Sequence, residues 1–194
     1  MSPRPSPDLD RRRYEVVQMA RDLAETEGWA AVTIRRLASE LDVSQPVLYS
    51  AFDSRDAVVD AVAVSGFTGI ADALHAVDAT PRARMRTYLE FAAAHPQVYE
   101  AMFSMPSGLA FASADTPEAL ARAFRGIADA FPGAGGAEVE IAWSVLHGLA
   151  TLQAGGRLTP GQEQARFELA HRMLTHHLSA PTASPTERDP QRRR

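Results

Sequence analysis

Between Ser44 and Ser50 the chain reads Ser-Gln-Pro-Val-Leu-Tyr-Ser, side chains suited to probing the edges of a nucleic-acid duplex. Gln45 can pair with an adenine edge, Val47 can pack on a thymine methyl, and Tyr49 can donate to a phosphate. Leu48 and Phe52 share one helical face, so turning them into a core leaves Gln45, Val47, Tyr49 and Ser50 outward, with Ser44 and Pro46 opening the helix. Thr33 at one helix N-terminus and Ser54-Arg55 at another offer backbone donors and charge to a sugar-phosphate backbone, and Arg35 and Arg36 add positive charge beside them.

Other chemistry finds less support. Glu138 and Glu140 with His147 could form an acid-base set. The two carboxylates lie two apart on a helix, however, hence on different faces, and no nucleophile, phosphate loop or metal cluster accompanies them. His171, His176 and His177 are spaced five and one apart, which does not bring two imidazoles to a common face. The chain has no cysteine, so disulfides, thiolate metal sites and cysteine nucleophiles are excluded. No metal and no cofactor is expected, and an enzyme is the weakest reading.

The formal net charge is -4, and all 20 basic residues are arginine. Through Asp56 there are eight arginines against ten carboxylates, a net of -2. Binding to a polyanion must therefore rest on placement, with Arg35, Arg36 and Arg55 near the groove. Arg4 and Arg11 to Arg13 either follow a nucleic-acid backbone or minor groove from a mobile arm, or are a solvated helix start.

These residues need helices to hold them. Apolar runs alternate with turn signals at helical spacing, and β-branched alternation is almost absent. One helix is predicted from Leu9 or Asp10 to Glu27, with Tyr14, Val17, Ala20, Leu23 and Ala24 inward and Gly28 as its left-handed stop. Thr33 opens a short second helix whose Ile34, Leu37, Ala38 and Leu41 form a buried stripe. After the turn Asp42-Val43, Ser44 opens a third, and Ser54 opens a long fourth to about Ala76. Thr80-Pro81, Thr116-Pro117 and Thr159-Pro160 each set a hydroxyl cap before a proline. They predict helices near 81–94, 117–131 and 160–178, with others at 137–154 and from Pro96 to about Ser104. Within the loop 105–116, Leu109 and Phe111 are expected to tuck inward.

Gly28, Thr33, Ile34, Leu37, Ala38, Leu41, Val43, Ser44, Leu48, Tyr49, Phe52 and Ser54 follow the pattern of the DNA-binding domain of TetR-family transcriptional regulators. The stretch 12–60 resembles that domain, most specifically in the run Val-Ser-x-Pro-x-Leu-Tyr-x-x-Phe. Asp42 replaces a common turn glycine, Ala51 a common histidine, and Arg55 the usual lysine. The run 142–149, with Trp143, His147 and Gly148, resembles the Trp-x-x-x-His-Gly signature of a C-terminal domain found in a subset of the family.

The resemblance implies an all-α protein with an N-terminal three-helix helix-turn-helix domain and a larger helical ligand-binding and dimerisation domain. The expected boundaries are a flexible arm at 1–9, the helix-turn-helix domain at 10–56, the larger domain at 57–179 and a disordered tail at 180–194. It further implies a homodimer that binds double-stranded DNA at an inverted repeat, a repressor released by a small effector, while the lack of cysteine makes a reducing cytoplasm the expected home. A DNA-binding dimer with no effector is the alternative. The aromatic and methionine content predicts a largely apolar effector, with Phe67, Tyr88, Phe91, Phe103, Trp143 and His147 as candidate contacts. Gly148 in mid-helix predicts close approach of another backbone. No signal-peptide apolar run opens the chain, and no uninterrupted run of about 18 apolar residues would call for a membrane.

Overall fold

The computed structural model describes residues 7–110 and 113–178, which form helices and connecting turns with no strand among them. The helices are α1 (Pro7–Glu27), α2 (Ile34–Glu40), α3 (Gln45–Tyr49), α4 (Arg55–His75), α5 (Pro81–Ala94), α6 (Pro96–Phe103), α7 (Glu118–Ala128), α8 (Gly136–Ala154) and α9 (Glu163–Leu178). Arg4, Phe111 and the expected tail 180–194 lie outside the described residues. Pro7 to Leu9, placed in the arm on the sequence, already belong to α1.

In α1 the buried stripe is Val16, Val17, Ala20, Leu23 and Ala24, while Tyr14 is 66% exposed. At 100° per residue Tyr14 lies about 120° from the centre of that stripe, so Val16 takes the inward place expected for it. Gly28 ends the helix at φ 81°, its amide bonded to Ala24 O at 2.8 Å. The Thr33 hydroxyl then accepts from the Arg36 amide at 3.1 Å and starts α2. The turn into α3 closes through Asp42, which takes φ 50°, while the Val43 amide reaches back to Ala38 O at 3.0 Å. This is a left-handed helix stop built on aspartate, a residue whose short polar side chain tolerates that conformation.

The Ser54 hydroxyl accepts from the Ala57 amide at 3.1 Å and opens α4. Nine residues of α4 are buried in a two-residue-wide stripe along its length, and it packs against α1, α5, α6 and α7. By length and mean hydropathy (1.5) α4 could cross a membrane, but half of that stretch is buried inside the fold, as in a core helix. Crossing α6 requires glycine on α4: a Cβ at Gly66 would stand 2.7 Å from both Met102 Sδ and Val98 Cγ1.

Two predicted caps are corrected. At α7 the N-cap is Pro117, and the Thr116 hydroxyl instead accepts from the Ser113 amide at 3.0 Å. At α9, Pro160-Gly161 forms a turn with Gly161 at φ 77°, and the helix starts only at Glu163. A Pro-Gly pair presets a tight turn whose second residue needs positive φ, and that preference overrides Thr159-Pro160 as a helix start. Thr80-Pro81 behaves as expected, the hydroxyl accepting from the Ala83 amide at 3.3 Å. Leu109 packs partly buried against the core, also as expected.

Buried Arg84 on α5 donates to Asp78 O at 3.3 Å and Gly126 O at 3.1 Å, tying the ends of α4 and α7 together. Arg82 holds Glu168 of α9 through two bonds of 2.8 and 2.7 Å, and these bonds bring the Glu168 carboxyl down to about 2.

Gly66→Val should lower the denaturant midpoint by the equivalent of about 1–3 kcal/mol at unchanged m, because a Cβ and its two methyls would enter a gap that stiff Val98 cannot widen. A midpoint equal to wild type would show that α4 and α6 can separate at no cost.

Candidate DNA-reading face and effector cavity

Residues Ser44, Gln45, Pro46, Val47, Tyr49 and Ser50 are all exposed, while Leu48 of the same helix is buried. The sequence argument thus holds for which side of α3 faces out. Ser44 occupies the N-cap position without a side-chain cap bond. Ser50 turns its hydroxyl onto Val47 O at 2.7 Å. Thr33 is exposed and keeps its own hydroxyl proton while capping α2.

The three arginines nominated for phosphate separate clearly. Arg35 is exposed, with no side-chain partner among the described residues. Arg36 is held by Glu40 at 2.7 Å and Glu27 at 2.9 Å, and those carboxylates raise its pKa above the ordinary value. Arg55 is turned inward, its guanidinium donating to Val32 O at 2.8 Å and Trp29 O at 2.9 Å. It therefore latches the start of α4 onto the α1–α2 connection. Two neutralised or committed cations leave Arg35 as the open charge of the three beside α3. Arg13, in the N-terminal arginine run, donates to Ala51 O at 3.1 Å and braces the end of α3.

A second site lies in the larger half. A cavity of about 840 Å³ is walled by Phe67, Ile70 and Leu74 of α4, Leu120, Phe124 and Ile127 of α7, Tyr88 of α5, Phe103 of α6 and Trp143 of α8. Ser113, Glu140 and Ser144, all exposed, mark its mouth. Four of the nominated contacts, Phe67, Tyr88, Phe103 and Trp143, thus meet at this cavity. Phe91 does not line it: its ring covers Gly69 and meets the His95 ring at 5.0 Å between centres, tilted by 58°. His147 also lies outside the lining, with Tyr99 and Phe103 packed against it at 5.7 and 4.8 Å between ring centres.

Behind the wall runs a chain of polar atoms. Trp143 Nε1 donates to Tyr88 Oη at 3.1 Å, Tyr88 and Tyr99 hydroxyls meet at 2.7 Å, and Tyr99 Oη meets His147 Nδ1 at 2.8 Å. Indole N–H can only donate, so satisfying every buried group sets the order Trp143 to Tyr88 to Tyr99 to His147, which accepts as a neutral imidazole. Burial supports this: it pushes Tyr88 up to about 12, raises Tyr99 as well, and lowers His147. Tyr99 escaped the sequence reading because only its neighbours across the fold distinguish it from an ordinary core aromatic.

A helix-turn-helix unit set on a helical domain with a cavity is the architecture of a DNA-binding regulator. The chain matches the family model described as "Bacterial regulatory proteins, tetR family" over residues 16–62 and that described as "Tetracyclin repressor-like, C-terminal domain" over residues 82–177. It is 33% identical over 161 residues to an uncharacterized HTH-type transcriptional regulator of Mycobacterium tuberculosis, covering 74% of this chain and 71% of the relative. A protein of unknown function from Rhodococcus sp. RHA1 superposes with a TM-score of 0.69 at 26% identity, over 93% of this chain and 100% of that one. A TetR-family transcriptional regulator from Streptomyces coelicolor superposes at 0.61 and 21%, over 86% and 78%. This chain belongs to the TetR family of transcriptional regulators. The family points to a regulator of transcription that binds DNA rather than to an enzyme.

His147 is neutral in the fold with its pKa lowered by burial, whereas the unfolded chain takes up a proton near the ordinary value of about 6.5. Its contribution to stability is therefore complete above about pH 6.5 and is lost as pH falls through the folded pKa. His147→Gln, which still offers Tyr99 an acceptor, should show a smaller fall in melting temperature between pH 7 and pH 5 than wild type. An identical fall would mean that His147 titrates as freely in the fold as out of it.

Proposed function

We propose that this protein is a homodimeric repressor that reads an inverted repeat with α3 and leaves it when a small, largely apolar effector fills the cavity between α4, α5, α6, α7 and α8. The reading rests on one observation. The same helix, α4, is latched at its head to the reading module by Arg55 and lines the cavity lower down with Phe67, Ile70 and Leu74. An effector that prefers one tilt of α4 changes the position of α3, and only such a preference can shift the population. A DNA-bound role puts the protein in the cytoplasm.

Dimerisation is supported by a face that a lone subunit leaves bare. Ile141 (60% exposed) on α8 and Leu169 and Met173 (56%) on α9 line one groove together with Val145 and Leu149, and Leu152 is exposed on the same side of α8. Contiguous apolar surface of this kind marks an interaction site. Gly148 falls on this face of α8, one turn from Val145 and Leu152, and nothing among the described residues comes within 4 Å of a Cβ built there. The described residues thus supply no close backbone of the kind the glycine anticipates, and a partner helix is the natural candidate.

The alternative, a dimer of this fold without an effector, is disfavoured by a cavity of about 840 Å³, within the range of small-molecule sites. A mobility-shift assay on inverted repeats flanking the gene, with and without compounds that raise the melting temperature, tests the main reading. A dimer that binds a repeat and is displaced by no stabilising compound would favour the alternative.

Leu169→Arg should convert the dimer to a monomer in sedimentation and abolish binding to a two-half-site repeat. A variant that remains dimeric would move the interface elsewhere. On DNA, Gln45→Ala should relax preference at one base pair by about 1–3 kcal/mol. Arg35→Ala should weaken all sequences alike and flatten the salt slope by about 1. Arg55→Ala should lower the melting temperature instead, since two buried carbonyls lose their donor. If Arg55→Ala flattened the salt slope and left stability untouched, Arg55 rather than Arg35 would be the phosphate contact.

A further inference from the structure

The polar groups of the cavity carry a directional bias that its apolar lining hides. Trp143 N–H is committed to Tyr88, and in the fully satisfied chain Tyr88 O–H is committed to Tyr99. The Ser144 hydroxyl is committed to Glu140 O at 2.7 Å. What the helical walls can still offer an occupant is lone pairs: on Ser144 Oγ and on the Glu140 carboxylate. The two loop hydroxyls, Ser113 and Thr116, rotate to give or accept and set no preference.

The charge points the same way. Among the described residues Glu140 is the one ionisable acid or base in the lining apart from the phenol of Tyr88, and its carboxylate has no hydrogen bond or ion pair with any of them. No arginine or histidine among the described residues lines the cavity. The arginines of adjacent α7 are held elsewhere, Arg122 by Asp72 and Arg125 by Glu118. Arg84, one turn before Tyr88, is committed to backbone carbonyls. Phe67, Phe103, Phe124 and Trp143 meanwhile present ring faces and edges, and aromatic faces attract cations.

We propose that the effector is a lipophilic amine, bound as an N–H-bearing ammonium whose aromatic or aliphatic body fills the cavity and whose head reaches Glu140 and the acceptor oxygens beside it. This rests on the cavity being the effector site and adds the chemical class it selects. A carboxylate of the same shape meets Glu140 with no donor to offset the repulsion. A neutral acceptor finds few donors, and a quaternary ammonium has no hydrogen to give.

The test is isothermal titration of the full-length protein at pH 7.5 with four probes of one skeleton. These are 4-phenylbutylammonium, its N,N,N-trimethyl derivative, 4-phenylbutyl methyl ether and 5-phenylpentanoate. The ammonium should bind about tenfold or more tighter than each of the others, and Glu140→Gln, a change at an exposed side chain, should bring it to the level of the ether. If the ether, the trimethyl derivative or the carboxylate binds as tightly as the ammonium, or if Glu140→Gln leaves the ammonium unchanged, the amine assignment is overturned while the cavity remains an effector site. If no probe binds even when Trp143 fluorescence is followed to millimolar concentration, the amine assignment fails together with the effector role of the cavity.

Discussion

Helix α4 is the constraint on which the rest of the molecule depends. Its head is fastened to the helix-turn-helix unit by the Arg55 guanidinium. Its middle is pressed against α6 where only glycine fits at position 66, and its later turns meet α7 closely enough that a Cβ at Gly126 would stand 3.0 Å from Leu74 Cβ. A helix so engaged cannot bend locally to absorb a displacement, because interiors packed at this density pass strain on rather than dissipating it. Under the proposed function, an effector beside Phe67, Ile70 and Leu74 would act on α3 through this helix. The two halves of the chain are consequently not separable units joined by a linker, since one continuous helix belongs to both.

The second organising feature is the polar chain from Trp143 to His147. In a largely apolar interior each of these groups would be costly if left unpaired. Threading them head to tail satisfies all four and also gives the chain a sense, because the indole end can only give a proton and the neutral imidazole end can take one. The threading also explains why three polar aromatic residues and a histidine are tolerated where simple hydrocarbon would pack as well.

Much of the local structure was legible in the residues. Gly28 as a helix stop, Thr33, Ser54 and Thr80 as caps, and the inward turn of Leu48 with the outward turn of Gln45, Val47 and Tyr49 all depend on neighbours within a few positions. The failures have different causes. Tyr14 was assigned to the wrong face by a stripe drawn slightly too wide, and Thr159-Pro160 lost to the Pro-Gly turn beside it. Phe91 was nominated for the cavity on residue type alone, and type cannot tell an aromatic that lines a space from one that covers Gly69.

What the sequence determined by itself was the helical class, the order of the elements, the exposed face of α3 and the family pattern, because each follows from periodicity and short-range capping. Only the tertiary structure decided which charges remain available. Arg35, Arg36 and Arg55 are alike as letters, yet one is open, one is held by Glu27 and Glu40, and one is bonded to carbonyls of Trp29 and Val32. Such partners lie up to 26 residues away along the chain, and the folded packing alone brings them within reach of a hydrogen bond.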